Sequence, residues 1–146
     1  MDIALDEARA AANLGEVPVG AVVVLNNKVI AKTGNRTRSL NDPTAHAETL
    51  AIRMACEKLG QDRLEGCDLY VTLEPCTMCA GTISHARLRR VYFGAVDEKG
   101  GAVVSGVQFF NSSTCHHSPD VYAGISESQS AAMLKGFFAT KRDLGN

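Results

Sequence analysis

The sequence predicts an α/β fold in which a mixed sheet carries helices on both faces. Three observations lead there: apolar stripes of helical period alternate with short β-rich runs, one pair of runs flanks a two-residue turn signal, and another pair encloses a helical segment. The 146 residues contain no internal repeat or low-complexity tract, and this length suits a single domain over residues 1–146 with a substantial core.

The elements follow in order. Residues 2–14 place Ala4, Leu5, Ala8, Ala11 and Ala12 on one stripe opposite Asp2, Asp6 and Arg9, with Gly15 as a stop. Val17 to Leu25 and Lys28 to Thr33 are β-rich runs, and Asn26-Asn27 between them tolerates the left-handed backbone of a tight hairpin. After a polar stretch from Gly34 to Pro43, Thr44 is expected to cap a helix whose Ala47, Leu50, Ala51, Met54 and Ala55 form the buried stripe, with His46 and Glu48 in its first turn. Asp68 to Leu73 reads as a buried strand, Cys76 to Ala86 as a short helix and Arg90 to Ala95 as a second strand. This crossover makes the two strands parallel. Asp97 to Ser118, rich in Gly, Ser and Asn, carries no readable period, and a short strand is expected near Val121 to Ala123. Ser126 and Gln129 match a capping box that opens a last helix with Ala131, Leu134 and Phe138 on one face, ending before Gly145.

Composition excludes several classes. The longest apolar stretch, Val19 to Leu25, is far shorter than the roughly 20 residues of a membrane helix, and Met1-Asp2 begins no basic and apolar leader, so a cytoplasmic protein is expected. Fifteen basic and sixteen acidic side chains give a net charge of −1, unlike a general nucleic-acid binder. Any such role must rest on local groups: Arg36 and Arg38, then Arg87, Arg89 and Arg90, then Lys141 and Arg142. Five scattered cysteines, an odd number, point to reduced thiols for metal binding or packing rather than a disulfide framework.

The chemistry concentrates in two short words, His46-Ala47-Glu48 and Pro75-Cys76-Thr77-Met78-Cys79. Cys76 and Cys79, three apart at a helix start, share a face where the positive helix end favours thiolates. His46 adds a neutral imidazole, and two sulfurs with one nitrogen suit zinc while leaving its fourth position open. At such a position zinc lowers the pKa of bound water to about 7, and Glu48 is the natural proton carrier beside it. Alone, a Cys-x-x-Cys is also a redox or structural-zinc pair, and a lone His or Glu at a helix start is ordinarily a hydrogen-bonded or dipole-pairing residue. Their joint order, with Pro75 directly before Cys76, is the pattern of the zinc deaminases of nucleobases. Cys115, His116 and His117 are rival ligands, but neighbours in sequence rarely converge on one ion; a loop near the substrate mouth is the expectation there. Cys56 and Cys67 read as small buried hydrophobes, and His85 as structural.

These words resemble the cytidine deaminase superfamily. The flanking text looks like its bacterial tRNA-specific adenosine deaminase branch: Glu16 to Val22, Asn35-Arg36, Asp42 to Glu48, Tyr70 to Gly81 and Phe93-Gly94-Ala95. The resemblance implies a three-layer α/β/α sandwich around a five-stranded mixed sheet. It also implies a homodimer with one zinc ion per subunit that converts adenosine to inosine at the wobble position of a tRNA anticodon stem-loop. By the same resemblance His46, Cys76 and Cys79 match zinc ligands, Glu48 the proton shuttle and Asn35 the side chain holding the target base. Asp97 falls in the loop that meets flanking nucleotides, and Phe138, Lys141 and Arg142 fall on an RNA-facing last helix. Val96 departs from the pattern, standing where many relatives have arginine.

The implied mechanism is attack by zinc-bound hydroxide on the ring carbon bearing the amino group, with Glu48 moving both protons. The pocket is expected to be lined by Val17, Asn35, His46, Ala47 and Leu73, with Arg87, Arg89 and Arg90 either holding phosphates or merely solvating a helix end. An anticodon loop is already single-stranded, which spares most of the cost of unstacking a base. Two rival readings fit the same words: a deaminase of free guanine, cytosine or a nucleoside such as cytidine, which would use the same metal apparatus, and a non-catalytic zinc-stabilised RNA-binding module, which would need a closed four-ligand site.

Overall fold

A computed structural model describes residues 1–144. The order is α1 (Asp2–Asn13), β1 (Gly20–Leu25), β2 (Lys28–Gly34), α2 (Ala47–Leu59), β3 (Asp68–Leu73), α3 (Thr77–Ala86), β4 (Arg90–Ala95), β5 (Asp120–Tyr122) and α4 (Glu127–Leu144), with a single 3₁₀ turn at Phe109–Asn111. The strands form one sheet in the order β2-β1-β3-β4-β5. β1 is antiparallel to β2 and β3, whereas β3, β4 and β5 run parallel, so the expected five-stranded mixed sheet is the one observed.

Side-chain alternation assigns the layers. Ala21, Val23, Leu69, Val71, Val91 and Phe93 point to one face and form the main core with Ala47, Ala51 and Ala55 of α2 and Ile83 of α3. The opposite face takes α1 over β1 and β2, and α4 over the upper part of β4. Two glycines permit these close approaches. A Cβ on Gly20 would fall on the Ala4 carbonyl of α1, and one on Gly94 would meet the Ser130 hydroxyl of α4. Below α4 the same face carries a ladder of Tyr70, Tyr92 and Tyr122 from three adjacent strands. Their rings stack at centroid distances of 4.5 and 4.8 Å.

Several boundaries differ from expectation, each for a local reason. Asn26 and Asn27 adopt positive φ, as the hairpin requires, but the first strand begins at Gly20 rather than Val17. Thr44 does not cap α2: its N–H and hydroxyl both donate to Asp42 Oδ1, and His46 in extended conformation becomes the capping residue. The buried stripe of α2 is rotated toward Glu48 and Ile52, leaving Met54 exposed and Leu50 half-buried. α3 starts at Thr77 with Cys76 as its cap. The last strand is Asp120–Tyr122, one residue earlier than Val121 to Ala123. Ser126 takes a left-handed conformation, φ 56°, which is incompatible with the extended cap of the expected Ser126–Gln129 box; Gly124 and Ser126 together turn the chain into α4. Gly145, the expected stop of α4, lies outside the described residues. No helix of the described residues is long and apolar enough to cross a membrane.

Candidate active site

The helices α2 and α3 begin side by side at the carboxyl end of β3, so the positive ends of both face one spot. His46 stands just outside α2 and Cys76 just outside α3, each with extended backbone, while Cys79 lies one turn along and is fully buried. His46 Nδ1 is 3.5 Å from Cys76 Sγ and 3.6 Å from Cys79 Sγ. A tetrahedral zinc ion, with Zn–S of about 2.3 Å and Zn–N of about 2.0–2.1 Å, would separate nitrogen from sulfur by about 3.5 Å. The donor set therefore fits zinc in kind and spacing, and its three ligand atoms all lie within 4.8 Å of one another.

Because His46 precedes the helix while Glu48 sits within its first turn, the two side chains converge on one pocket instead of diverging around α2. Glu48 is buried, 4 % exposed, and burial pushes its pKa up to about 7; the adjacent thiolate of Cys76 acts in the same direction. A hydrogen bond from Cys79, with a further one from His46, draws the Cys76 thiol down to about 4. The Cys79 thiol is correspondingly pushed up by its bond to Cys76 and by burial, and His46 is raised by its bond to Cys76. Thr49 Oγ1 lies 3.3 Å from Cys79 Sγ and steadies it from the same first turn of α2.

The pocket in front of this group has a volume of about 320 Å³ and is lined by Val17, Val19, Asn35, Thr37, Leu73 and Asp97 in addition to His46, Glu48 and Cys76. It opens beside a broader depression of about 780 Å³ walled by Val17, Leu73, Asp97, Leu134 and Phe138. Thus Val17, Asn35, Leu73, Asp97 and Phe138 are all brought to this end of the sheet. Ala47 is a different case. Its side chain is sealed in the core, and its N–H donates to Asn35 Oδ1 at 3.1 Å, so it orients Asn35 rather than lining the cavity.

Other candidates lie elsewhere. Arg89 and Arg90 stand at the opposite end of β4, where five steps of about 3.3 Å put Arg90 roughly 16 Å from Ala95. Arg89 is moreover paired with Asp68 through bonds of 2.8 and 3.0 Å, and Arg87 ends α3 in a left-handed cap. These arginines therefore close the far end of the sheet and do not ring the pocket. Cys115 and His117 pack against that far end too, with His116 exposed between them: Cys115 Sγ lies 3.5 Å from the Ser84 hydroxyl, and His117 Nε2 donates to the Leu88 carbonyl at 2.7 Å. They form neither a metal group nor a substrate mouth. Cys67 is buried as expected and Cys56 half-buried, while His85 is exposed in the last turn of α3.

Two carboxylates that the sequence reading left without a role are central here. Glu16, fully buried, accepts hydrogen bonds from the N–H groups of Arg38 and Ser39 and from the Ser39 hydroxyl, fixing the loop that carries Asn35 and Thr37. Glu74 does the same for the loop that carries Asp97. The only signal for either was its place within a stretch that carries the family resemblance, Glu16 at the head of Glu16 to Val22 and Glu74 within Tyr70 to Gly81.

Residues 1–95 match the cytidine and deoxycytidylate deaminase zinc-binding region. The chain belongs to this deaminase family. It is a zinc-dependent hydrolytic deaminase, with an α/β fold shared by its relatives. A tRNA-specific adenosine deaminase of Agrobacterium fabrum is 66% identical over 142 residues, covering 97% of this chain and 93% of the relative. A solved structure from studies of A-to-I editing by tRNA:A34 deaminases at the wobble position of transfer RNA superposes with a TM-score of 0.91 at 67% identity, covering 92% of this chain and 97% of that one. A guanine deaminase from Bacillus subtilis is more distant, with a TM-score of 0.63 and 31% identity over 97% of this chain and 90% of its own.

Proposed function

We propose that this deaminase converts adenosine to inosine at the wobble position of a tRNA anticodon, using residues 1–146 as one catalytic domain. The observation that carries the reading is the 66% identity, along nearly the whole chain, to a tRNA-specific adenosine deaminase, against 31% to a guanine deaminase with the same fold. A base entering the 320 Å³ pocket meets Glu48 and the His46, Cys76 and Cys79 group at its floor and Asn35 on its wall.

His46, Cys76 and Cys79 hold the zinc ion. When bound there, zinc supplies a water acidic enough to act as nucleophile at neutral pH. Glu48 takes a proton from the attacking water and delivers it to the ring nitrogen next to the carbon bearing the amine. It then passes the second proton to the departing amine, so adenosine and water yield inosine and ammonia. Burial gives this carboxylate a proton affinity close to neutral, which suits a group that must both accept and donate. Asn35 has its Oδ1 committed to Ala47 N–H, leaving the Nδ2 donor for an acceptor on the base edge. Val17 and Leu73 flank the ring, and Asp97 and Phe138 meet the flanking nucleotides in the wider depression.

The enzyme acts in the cytoplasm, where tRNA is, and as a homodimer, for which exposed Met54 on α2 and Met78 on α3 offer apolar surface. Sedimentation of the zinc-loaded protein is expected to give twice the chain mass, and a monomer at micromolar concentration would refute the dimer. The decisive assay is single turnover on an adenosine-containing anticodon stem-loop, with free adenosine, cytidine and guanine alongside. Inosine from the stem-loop alone supports the reading; turnover of a free base instead would move the enzyme to the guanine-type branch.

A further inference from the structure

We infer that Glu74 is a positioning residue for substrate binding, an anchor that fixes the 97–105 loop so that Asp97 and Gly100 form one wall of the pocket. The inference rests on the deaminase reading of that pocket and adds to it a residue that never touches the base.

The geometry is unusual for a carboxylate at the end of a strand. Glu74 is 2 % exposed and has no basic partner among its contacts. Its charge is met entirely by N–H and O–H donors of one loop. Oε2 accepts from the N–H groups of Val103, Val104 and Ser105 at 3.0, 2.9 and 2.9 Å, and Oε1 from Asp97 N–H at 3.0 Å and the Ser105 hydroxyl at 2.9 Å. Both ends of the loop are therefore tied to one side chain. Main-chain bonds tighten the same seam: Ala102 N–H donates to the Pro75 carbonyl at 2.9 Å, and Cys76 bridges to Gly101. Gly101 has no room for a Cβ because the Glu74 carboxylate occupies it.

The consequence for the pocket is direct. Asp97 begins the anchored loop, and its own Oδ1 accepts from Lys99 and Gly100 N–H at 3.2 and 3.0 Å, which folds the segment back toward the site. Asp97 and Gly100 line the catalytic pocket, and Asp97 with Lys99 also lines the wider depression beside it. An irregular, Gly-rich loop held by one buried charge keeps a fixed shape before substrate arrives, so less ordering is left to binding. A glutamine in this place presents one acceptor oxygen where five donors converge, and its amide N–H faces other donors.

The test compares Glu74→Gln and the milder Ser105→Ala, which removes one donor to Oε1, with wild type. Three quantities are read: zinc content, amide exchange at Asp97 and residues 103–105, and steady-state kinetics on the anticodon stem-loop. The expected result for Glu74→Gln is unchanged zinc, exchange at least tenfold faster at those amides, and KM raised about tenfold with kcat within threefold. Ser105→Ala is expected to move KM the same way by less. Faster exchange with KM unchanged would overturn the proposal, because the loop would then be anchored to no catalytic purpose. Loss of zinc together with kcat would overturn it as well, placing Glu74 behind Cys76 as support for the metal. Unchanged exchange would remove the anchor itself. If wild type leaves the stem-loop untouched, the tRNA reading fails separately, and the KM comparison is made on the nucleobase substrate it does turn over.

Discussion

The chemistry depends on where two residues sit relative to the start of one helix. His46 caps α2 from outside and Glu48 lies inside its first turn, so the backbone bend between them aims both at the same spot. Replacing Glu48 with glutamine keeps the shape and removes the proposed proton carrier; single-turnover deamination is expected to fall by about 10²–10⁴-fold with zinc content unchanged. A residual rate near wild type would move proton transfer to another group. Replacing Asn35 with alanine deletes both the acceptor for Ala47 N–H and the donor offered to the base. One such bond contributes about 0.5–1.5 kcal/mol, so KM should rise by about twofold to thirteenfold. At this scale the sequence was informative where partners are close in the chain or fall in ordered words: His46, Glu48, Cys76 and Cys79 all lie in the site. It was silent on Glu74 because that residue's partners are 23 to 31 positions away in a stretch without period.

Among the elements, strands were legible to within a few residues because alternation against one core fixes them, and β4 falls where its apolar run does. Helix starts were less so. Thr44 and Ser126 are both good capping residue types, but Asp42 claims the first and a left-handed turn uses the second. The loop from Asp97 to Ser118 follows neither helical nor strand period, since a buried carboxylate organises its first part. Glu16 gives the matching pH behaviour. Burial pushes its carboxyl up, but bonds from Ser39 and Arg38 outweigh this and hold it below the ordinary value of 4.5. The stability it contributes is therefore complete above that value and is lost as pH falls through the lower folded one, because the unfolded chain there binds more protons. Acid titration of unfolding should show a shallower decline for Glu16→Gln, and identical acid limbs would refute the assignment. Gly94→Ala tests the α4 contact: its Cβ has no space beside Ser130, and a loss of about 1–3 kcal/mol in chemical denaturation is expected.

For the molecule as a whole, zinc held as proposed would join the starts of two helices that packing and the Thr49–Cys79 contact already bring together. The three proposed ligands stand at the starts of α2 and α3, and the sheet behind them is the meeting point of an antiparallel hairpin and a parallel crossover. A ligand that binds only the folded state adds about 2.7 kcal/mol at a hundredfold excess over its dissociation constant. Chelation is therefore expected to lower the melting temperature as well as abolish turnover, and added zinc to restore both; a melting temperature indifferent to chelator would mean that these elements hold together without the metal.

The tyrosine ladder has a spectroscopic consequence. The chain has three tyrosines and no tryptophan, and all three rings belong to the single stack across β3, β4 and β5. Tyrosine emission, and the tyrosine bands of the near-ultraviolet dichroism, thus report from one place, midway along the sheet on the face opposite the main core. The enzyme carries its own optical reporter of whether the short edge strand Asp120–Tyr122 is docked.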